Sequence, residues 1–125
     1  MEKLSGPLTV LLVEDEPLIA LDIEDALSAI GASVRVARSL GEARQGLAGG
    51  PPPDVVLLDV VLPDGRSFDL ALEILAMGLP VAFLTGYDHG IPAALRNVTV
   101  VEKPFSTQAL LAAVDRLSSV ARRVG

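Results

Sequence analysis

The sequence predicts an α/β fold: a (βα)5 chain with a doubly wound, parallel five-stranded sheet and a short or irregular fourth helix. Three observations predict it. Five short runs rich in Val and Leu recur along the 125 residues. Those runs are apolar on both faces, which marks parallel strands covered by helices on each side. Between them lie segments with apolar residues at helical spacing, or with helix start and stop signals.

The strands are expected near residues 8–13, 33–37, 54–59, 80–84 and 98–102. After the first strand, Pro17 suits the first turn of a helix. Ile19, Ile23, Ala26, Leu27 and Ile30 then recur as a core stripe, and Gly31 stops the helix. Ser39 to Glu42 reads as a capping box for the second helix. The run Gly49-Gly50-Pro51-Pro52-Pro53 is a connector, and Asp64-Gly65 is a turn. A third helix covers roughly Phe68 to Met77 and ends at Gly78. Gly86, Gly90 and Pro92 leave only Pro92 to Asn97 for a fourth helix, so that stretch is expected to be short or mobile. The fifth helix follows Ser106 and carries Leu110, Leu111, Val114 and Leu117. No internal repeat is present, and the chain reads as one domain, 1–125, with its core at about 8–120.

Composition excludes several classes. An apolar content of 50% argues against disorder. Glu, Asp and Gly interrupt every apolar run that approaches the length of a membrane span, and no signal-peptide pattern opens the chain. The absence of cysteine excludes disulfides and thiolate metal sites, and a cytoplasmic location fits. A net charge of −6 disfavours direct nucleic-acid binding. The basic doublet Arg122-Arg123 reads as a solvated helix end.

In a parallel sheet the carboxyl ends of the strands share one edge, where ligands bind. Glu14-Asp15 follows the first strand, Asp59 ends the third, Thr85-Gly86 follows the fourth and Lys103-Pro104 follows the fifth. Three carboxylates, a hydroxyl and an ammonium would then converge. Singly, each signal has a plain structural reading: an acidic helix N-terminus, a turn, another turn, a surface lysine. Their coincidence at four strand ends favours one site. A carboxylate can attack a phosphoryl group, but bare carboxylates repel the donor, so the site needs positive charge. A hard cation held by oxygen ligands supplies it, and Mg2+ fits, with Mn2+ as an alternative. On this reading Asp59 is both nucleophile and metal ligand. Asp15 binds the metal directly and Glu14 binds it through water. Lys103 adds a second positive charge, and Thr85 donates a hydroxyl hydrogen bond.

This set, from Leu8 to about Val120, resembles the receiver domain of bacterial two-component response regulators, a flavodoxin-like fold. The resemblance implies Mg2+-dependent phosphotransfer to Asp59 from a sensor histidine kinase or a histidine phosphotransfer protein, slow self-catalysed hydrolysis, and a downstream protein target. It also implies a metal ligand from the backbone carbonyl of Val61, phosphoryl contacts from the amides of Val60 and Gly86, and a Lys103-Pro104 bond that is often cis. The sequence departs from many relatives in three places. Its acidic pair is Glu14-Asp15 rather than two aspartates. Val100 stands where an aromatic switch residue is common. Pro63-Asp64-Gly65 shortens the loop after Asp59. Thr85, Tyr87 and Val100 make up the expected switch region. Phe83-Leu84-Thr85-Gly86-Tyr87 resembles the signature of the "FATGUY" receivers, found mostly in alphaproteobacteria and often stand-alone. Glu14-Asp15-Glu16-Pro17-Leu18-Ile19-Ala20 resembles receivers served by HWE-type kinases.

Helical-wheel placement turns Leu18 to the side of the core stripe and Leu21 nearly opposite it, as candidates for partner docking. Tyr87 and Val61 are expected to flank the path of the hydrolytic water and to prolong the acyl phosphate. His89, the single histidine, is expected in solvent rather than as a phosphocarrier. With no output segment after the fifth helix, the expected role is a stand-alone regulator, a phosphate shuttle or a phosphate sink. Two other classes fit less well. A flavin mononucleotide module lacks its phosphate loop and aromatics, with an aromatic content of 3%. An aspartate-nucleophile phosphatase would need a general acid where Val61 stands.

Overall fold

A computed structural model describes residues 8–86 and 90–124. In chain order the elements are β1 (Thr9–Val13), α1 (Pro17–Ala29), β2 (Ser33–Ala37), α2 (Leu40–Ala48) and β3 (Val55–Asp59). They continue with β4 (Val61–Leu62), β5 (Gly65–Arg66), α3 (Phe68–Ala76), β6 (Val81–Thr85), a 3-10 turn (Ala93–Leu95), β7 (Thr99–Glu102) and α4 (Thr107–Val124). The sheet runs β2-β1-β3-β6-β7, and every pairing in it is parallel. Strand order therefore reverses between β1 and β3. A doubly wound sheet opens its ligand crevice at such a reversal, outside the carboxyl ends of the strands.

Alternation along the strands builds two cores. Val10, Leu12, Leu57 and Leu84 face α1 and α4, where Ile23, Leu27, Leu110 and Val114 meet them. Leu11, Val13, Leu58 and Phe83 face α2 and α3, with Leu70 and Ile74. Phe68 packs edge-on against Phe83, with ring centroids 5.9 Å apart. The central strands are buried along their whole length, as the continuous apolar runs require.

Helix boundaries follow local chemistry. Pro17 occupies the first turn of α1, and Gly31, at φ +88°, adopts the left-handed conformation that ends it. Ile30 departs from its expected place in the core stripe. It is the C-cap residue and is 55% exposed, because the helix ends before that position turns inward. At α2, the Ser39 hydroxyl accepts from the Glu42 amide at 3.1 Å. The Glu42 carboxylate reaches back to the Arg38 amide at 2.9 Å, one residue before the usual return partner. Asp64 does more than turn the chain between β4 and β5. Its carboxylate accepts from the amides of Leu40 and Gly41, at 2.9 and 3.0 Å, and so caps α2 from 24 residues away. Those two donors hold the Asp64 carboxyl below its ordinary range. The fourth helix is reduced to the 3-10 turn, pinned by buried Leu95. The helix expected fifth is thus α4. Among the described residues no helix is long and apolar enough to cross a membrane.

Ile23 is fully buried between α1 and the sheet, whereas Leu18 on the same helix is 77% exposed. Ile23→Ala is expected to lower unfolding free energy by about 2–5 kcal/mol, and Leu18→Ala by less than about 0.5 kcal/mol. Chemical denaturation of the two variants checks the assignment of faces.

Candidate functional site

Four strand tips supply the side chains. Glu14 continues past β1, and its amide donates to Ala37 at 2.9 Å, which draws the residue fully into the sheet edge. Asp15 is half-buried beside it, and Asp59 is the last residue of β3. Carboxylate oxygens from Glu14, Asp15 and Asp59 all lie within 4.8 Å of one another. Lys103 enters from the end of β7. Its ammonium donates to Glu14 Oε1 at 2.9 Å and to Asp59 Oδ2 at 3.1 Å. The Lys103-Pro104 peptide is cis. The Lys103 amide donates to the Thr85 carbonyl at 2.7 Å, which ties the tip of β7 to that of β6. Thr85 is buried at that tip, next to the exposed Gly86.

The electrostatics are lopsided. With all three carboxylates ionised, Lys103 leaves two negative charges uncompensated. Burial pushes the Glu14 carboxyl above its ordinary 4.5; the Lys103 hydrogen bond opposes this, and the Asp59 charge adds to it. Burial alone would lower the Lys103 ammonium. The hydrogen bond it donates to Glu14 and the charges of Asp59 and Glu14 outweigh that effect and hold it above 10.5. Lys103 therefore stays charged at neutral pH. Three carboxylates with excess negative charge form a hard oxygen donor set, which fits a divalent cation of the magnesium, calcium or manganese type.

The other expected residues fall as follows. Val61 lies in β4, paired with Arg66, with its side chain outward. The Val60 amide, expected at a phosphoryl oxygen, instead donates to the Leu84 carbonyl at 3.2 Å. It does so because the Asp59–Leu84 register carries the β3–β6 ladder one residue past the strand end. Leu18 and Leu21 lie on the outer face of α1, and Val100 is exposed on β7. Tyr87 and His89 lie outside the described residues.

Two contributors were not anticipated. The Glu16 amide donates to Glu14 Oε2 at 3.2 Å, so the third acidic residue of the triplet acts through its backbone. Buried Ser67 donates its hydroxyl to the Asp59 carbonyl at 2.7 Å. A small hydroxyl residue just before the third helix was the only signal, and it reads locally as a helix cap.

The raised Glu14 value fixes a sign. Folding is favoured by its proton below pH 4.5, and that advantage is lost as pH rises through the raised folded value. In chelated buffer, Glu14→Gln should therefore gain thermal stability relative to wild type as pH rises from 4.5 to neutrality. A difference that is flat or shrinks over that range contradicts the assignment.

Residues 10–115 match the family described as the response regulator receiver domain. The probable transcriptional regulatory protein TcrX of Mycobacterium tuberculosis is 36% identical over 126 residues, which cover 95% of this chain and 52% of that protein. The phyllosphere-induced regulator PhyR of Methylorubrum extorquens is 32% identical over 112 residues, which cover 86% of this chain and 42% of that protein. The chain thus spans about half the length of the curated relatives it matches. The solved signal receiver domain of an HD domain-containing protein from Pseudomonas fluorescens shares the fold. It superposes with a TM-score of 0.88 at 23% identity, covering 99% of this chain and 96% of that one. The match along most of its length, on a doubly wound sheet with these strand tips, makes this chain a member of the response regulator receiver family of two-component phosphorelay signalling.

Proposed function

We propose that the chain accepts a phosphoryl group on Asp59, with Mg2+, from a histidine kinase or a histidine phosphotransfer protein, and that the phosphorylated form binds a downstream protein. The observation that carries this reading is the Lys103 ammonium held between Glu14 and Asp59 inside a three-carboxylate cluster. In the transfer, a bond forms between an Asp59 carboxylate oxygen and phosphorus. The bond to the donor's imidazole nitrogen breaks, and its electron pair stays on that nitrogen, which then takes up a proton. Asp15 and Asp59, with the Val61 carbonyl, would hold the metal, and Glu14 would act through water, as its buried, Lys103-bound carboxylate favours. The bound cation would neutralise charge on the phosphoryl oxygens. Lys103 orients Asp59 and carries fixed positive charge. Thr85 and the Gly86 amide would donate to the phosphoryl group from the tip of β6. The Val60 amide would join them only by leaving Leu84.

The partner side of the proposal rests on α1. Leu18 and Leu21 are 77% and 51% exposed. Beside the helix runs a groove of about 640 Å3, with Ile19, Phe105 and Leu110 in its lining, Asp22 and Asp25 beside them, and Lys103 at the site end. An apolar helix face with basic neighbours on the donor protein fits this surface. The output face we propose is formed by the Thr85–Asn97 segment, β7 and α4. A hollow of about 310 Å3 there lies between Thr85, Leu95 and Val100. With Val100 in place of an aromatic ring, a population shift that orders this face is the switch we favour.

Incubation with acetyl phosphate and Mg2+ should phosphorylate the wild type, whereas Asp59→Asn or chelation should abolish incorporation. Lys103→Ala is expected to slow incorporation by roughly 10²-fold. Incorporation into Asp59→Asn at the wild-type rate overturns the proposal. For docking, Leu21→Glu should impair transfer from the cognate kinase while leaving acetyl phosphate labelling intact. Unchanged kinase transfer removes Leu21 from the docking surface.

A further inference from the structure

We infer that Ser67 is a positioning residue for Asp59: its buried hydroxyl locks the peptide plane that aims the acceptor carboxylate. The inference rests on Asp59 being the phosphoryl acceptor. Ser67 occupies the N-cap position of α3, where a serine ordinarily accepts a hydrogen bond from the first turn of the helix. It makes no such cap bond. Its hydroxyl instead donates to the Asp59 carbonyl at 2.7 Å, and its amide donates to the Val60 carbonyl at 3.0 Å. The residue is 0% exposed, so water does not compete for that hydroxyl.

The strand end explains why Asp59 needs the contact. Pairing of β3 with β1 stops at Leu58, and pairing with β6 beyond Asp59 uses the Val60 amide. The Asp59 carbonyl is therefore a buried acceptor at the point where the ladder ends, and such a group needs a partner. The carbonyl of Asp59 and the amide of Val60 belong to one peptide group. Ser67 holds its oxygen and Leu84 holds its nitrogen. A peptide gripped at both ends cannot rotate, and with it are fixed the backbone of Asp59 and the direction of its side chain. The second Ser67 bond grips the next carbonyl and leads into β4, whose first residue is Val61. One small side chain thus orders the strand tip on which the acceptor and the neighbouring carbonyls are carried. Alanine at 67 would keep the volume and lose the grip.

The test compares Ser67→Ala with Ile74→Val, a buried change in the same helix that loosens packing without touching Asp59. Acetyl phosphate and saturating Mg2+ serve as probes, and the labelling rate constant is separated from the apparent donor affinity. Ser67→Ala should slow the rate constant about tenfold or more, with donor affinity little changed, while Ile74→Val stays within about twofold of wild type. Ser67→Cys, a weak donor of similar size, should fall between them, and it carries the test should the alanine variant not fold. Wild-type rates in Ser67→Ala or Ser67→Cys, or an equal slowing in Ile74→Val, overturn the inference. A wild type that is never labelled on Asp59 defeats the underlying reading of the site instead, so the two failures are told apart.

Discussion

One ammonium allows this edge of the sheet to exist. Glu14, Asp15 and Asp59 bring carboxylate oxygens within 4.8 Å of one another, in a partly desolvated crevice where like charges repel far more strongly than in water. Lys103 touches two of the three and relieves part of that repulsion. It cannot relieve all of it, and a residual negative charge remains at the site. A cluster with matched charge would be inert towards a cation. This one, with its excess of negative charge, is a donor set that could hold a cation.

The topology makes that crowding affordable. The two acidic elements lie on the adjacent strands β1 and β3, at the reversal of strand order, while the lysine comes from the far edge strand β7. The central strands β3 and β6 are buried along their length and packed on both faces, which anchors their tips. Rigid tips hold the charges together, and the cross-links Lys103–Thr85, Val60–Leu84 and Ser67–Asp59 extend that rigidity one residue beyond the ladder. Apolar side chains such as Leu18, Leu21 and Val100 reach solvent instead on the outer face of α1 and near the 3-10 turn.

Much of this was legible in the sequence, for a physical reason. Parallel strands are buried on both faces, so their apolar runs stand out. The residues at their carboxyl ends are forced onto one edge whatever happens in the loops, which made Glu14, Asp15, Asp59, Thr85 and Lys103 readable as a group. The short fourth helix was readable too, because Gly86, Gly90 and Pro92 leave no room for more. What stayed hidden depends on contacts between distant segments. Asp64 reads locally as a turn residue, yet it caps a helix that precedes it by more than twenty positions. Ser67 sits at the N-cap of α3, but its hydroxyl leaves the helix uncapped and goes to Asp59. Ile30 fits the helical stripe, but a periodic pattern does not reveal that the helix stops just short of it. The Leu84 partner of the Val60 amide was hidden too, because register sets backbone donors and side-chain patterns do not report register.

The most direct measurement is the chemical location of the phosphoryl group. Borohydride reduction of the acetyl phosphate-labelled chain converts an aspartyl phosphate to homoserine, which peptide mass mapping then places. The account predicts homoserine at position 59 alone. Homoserine at 15 or 64, or a label that survives as phosphoserine or phosphothreonine elsewhere in the chain, contradicts it.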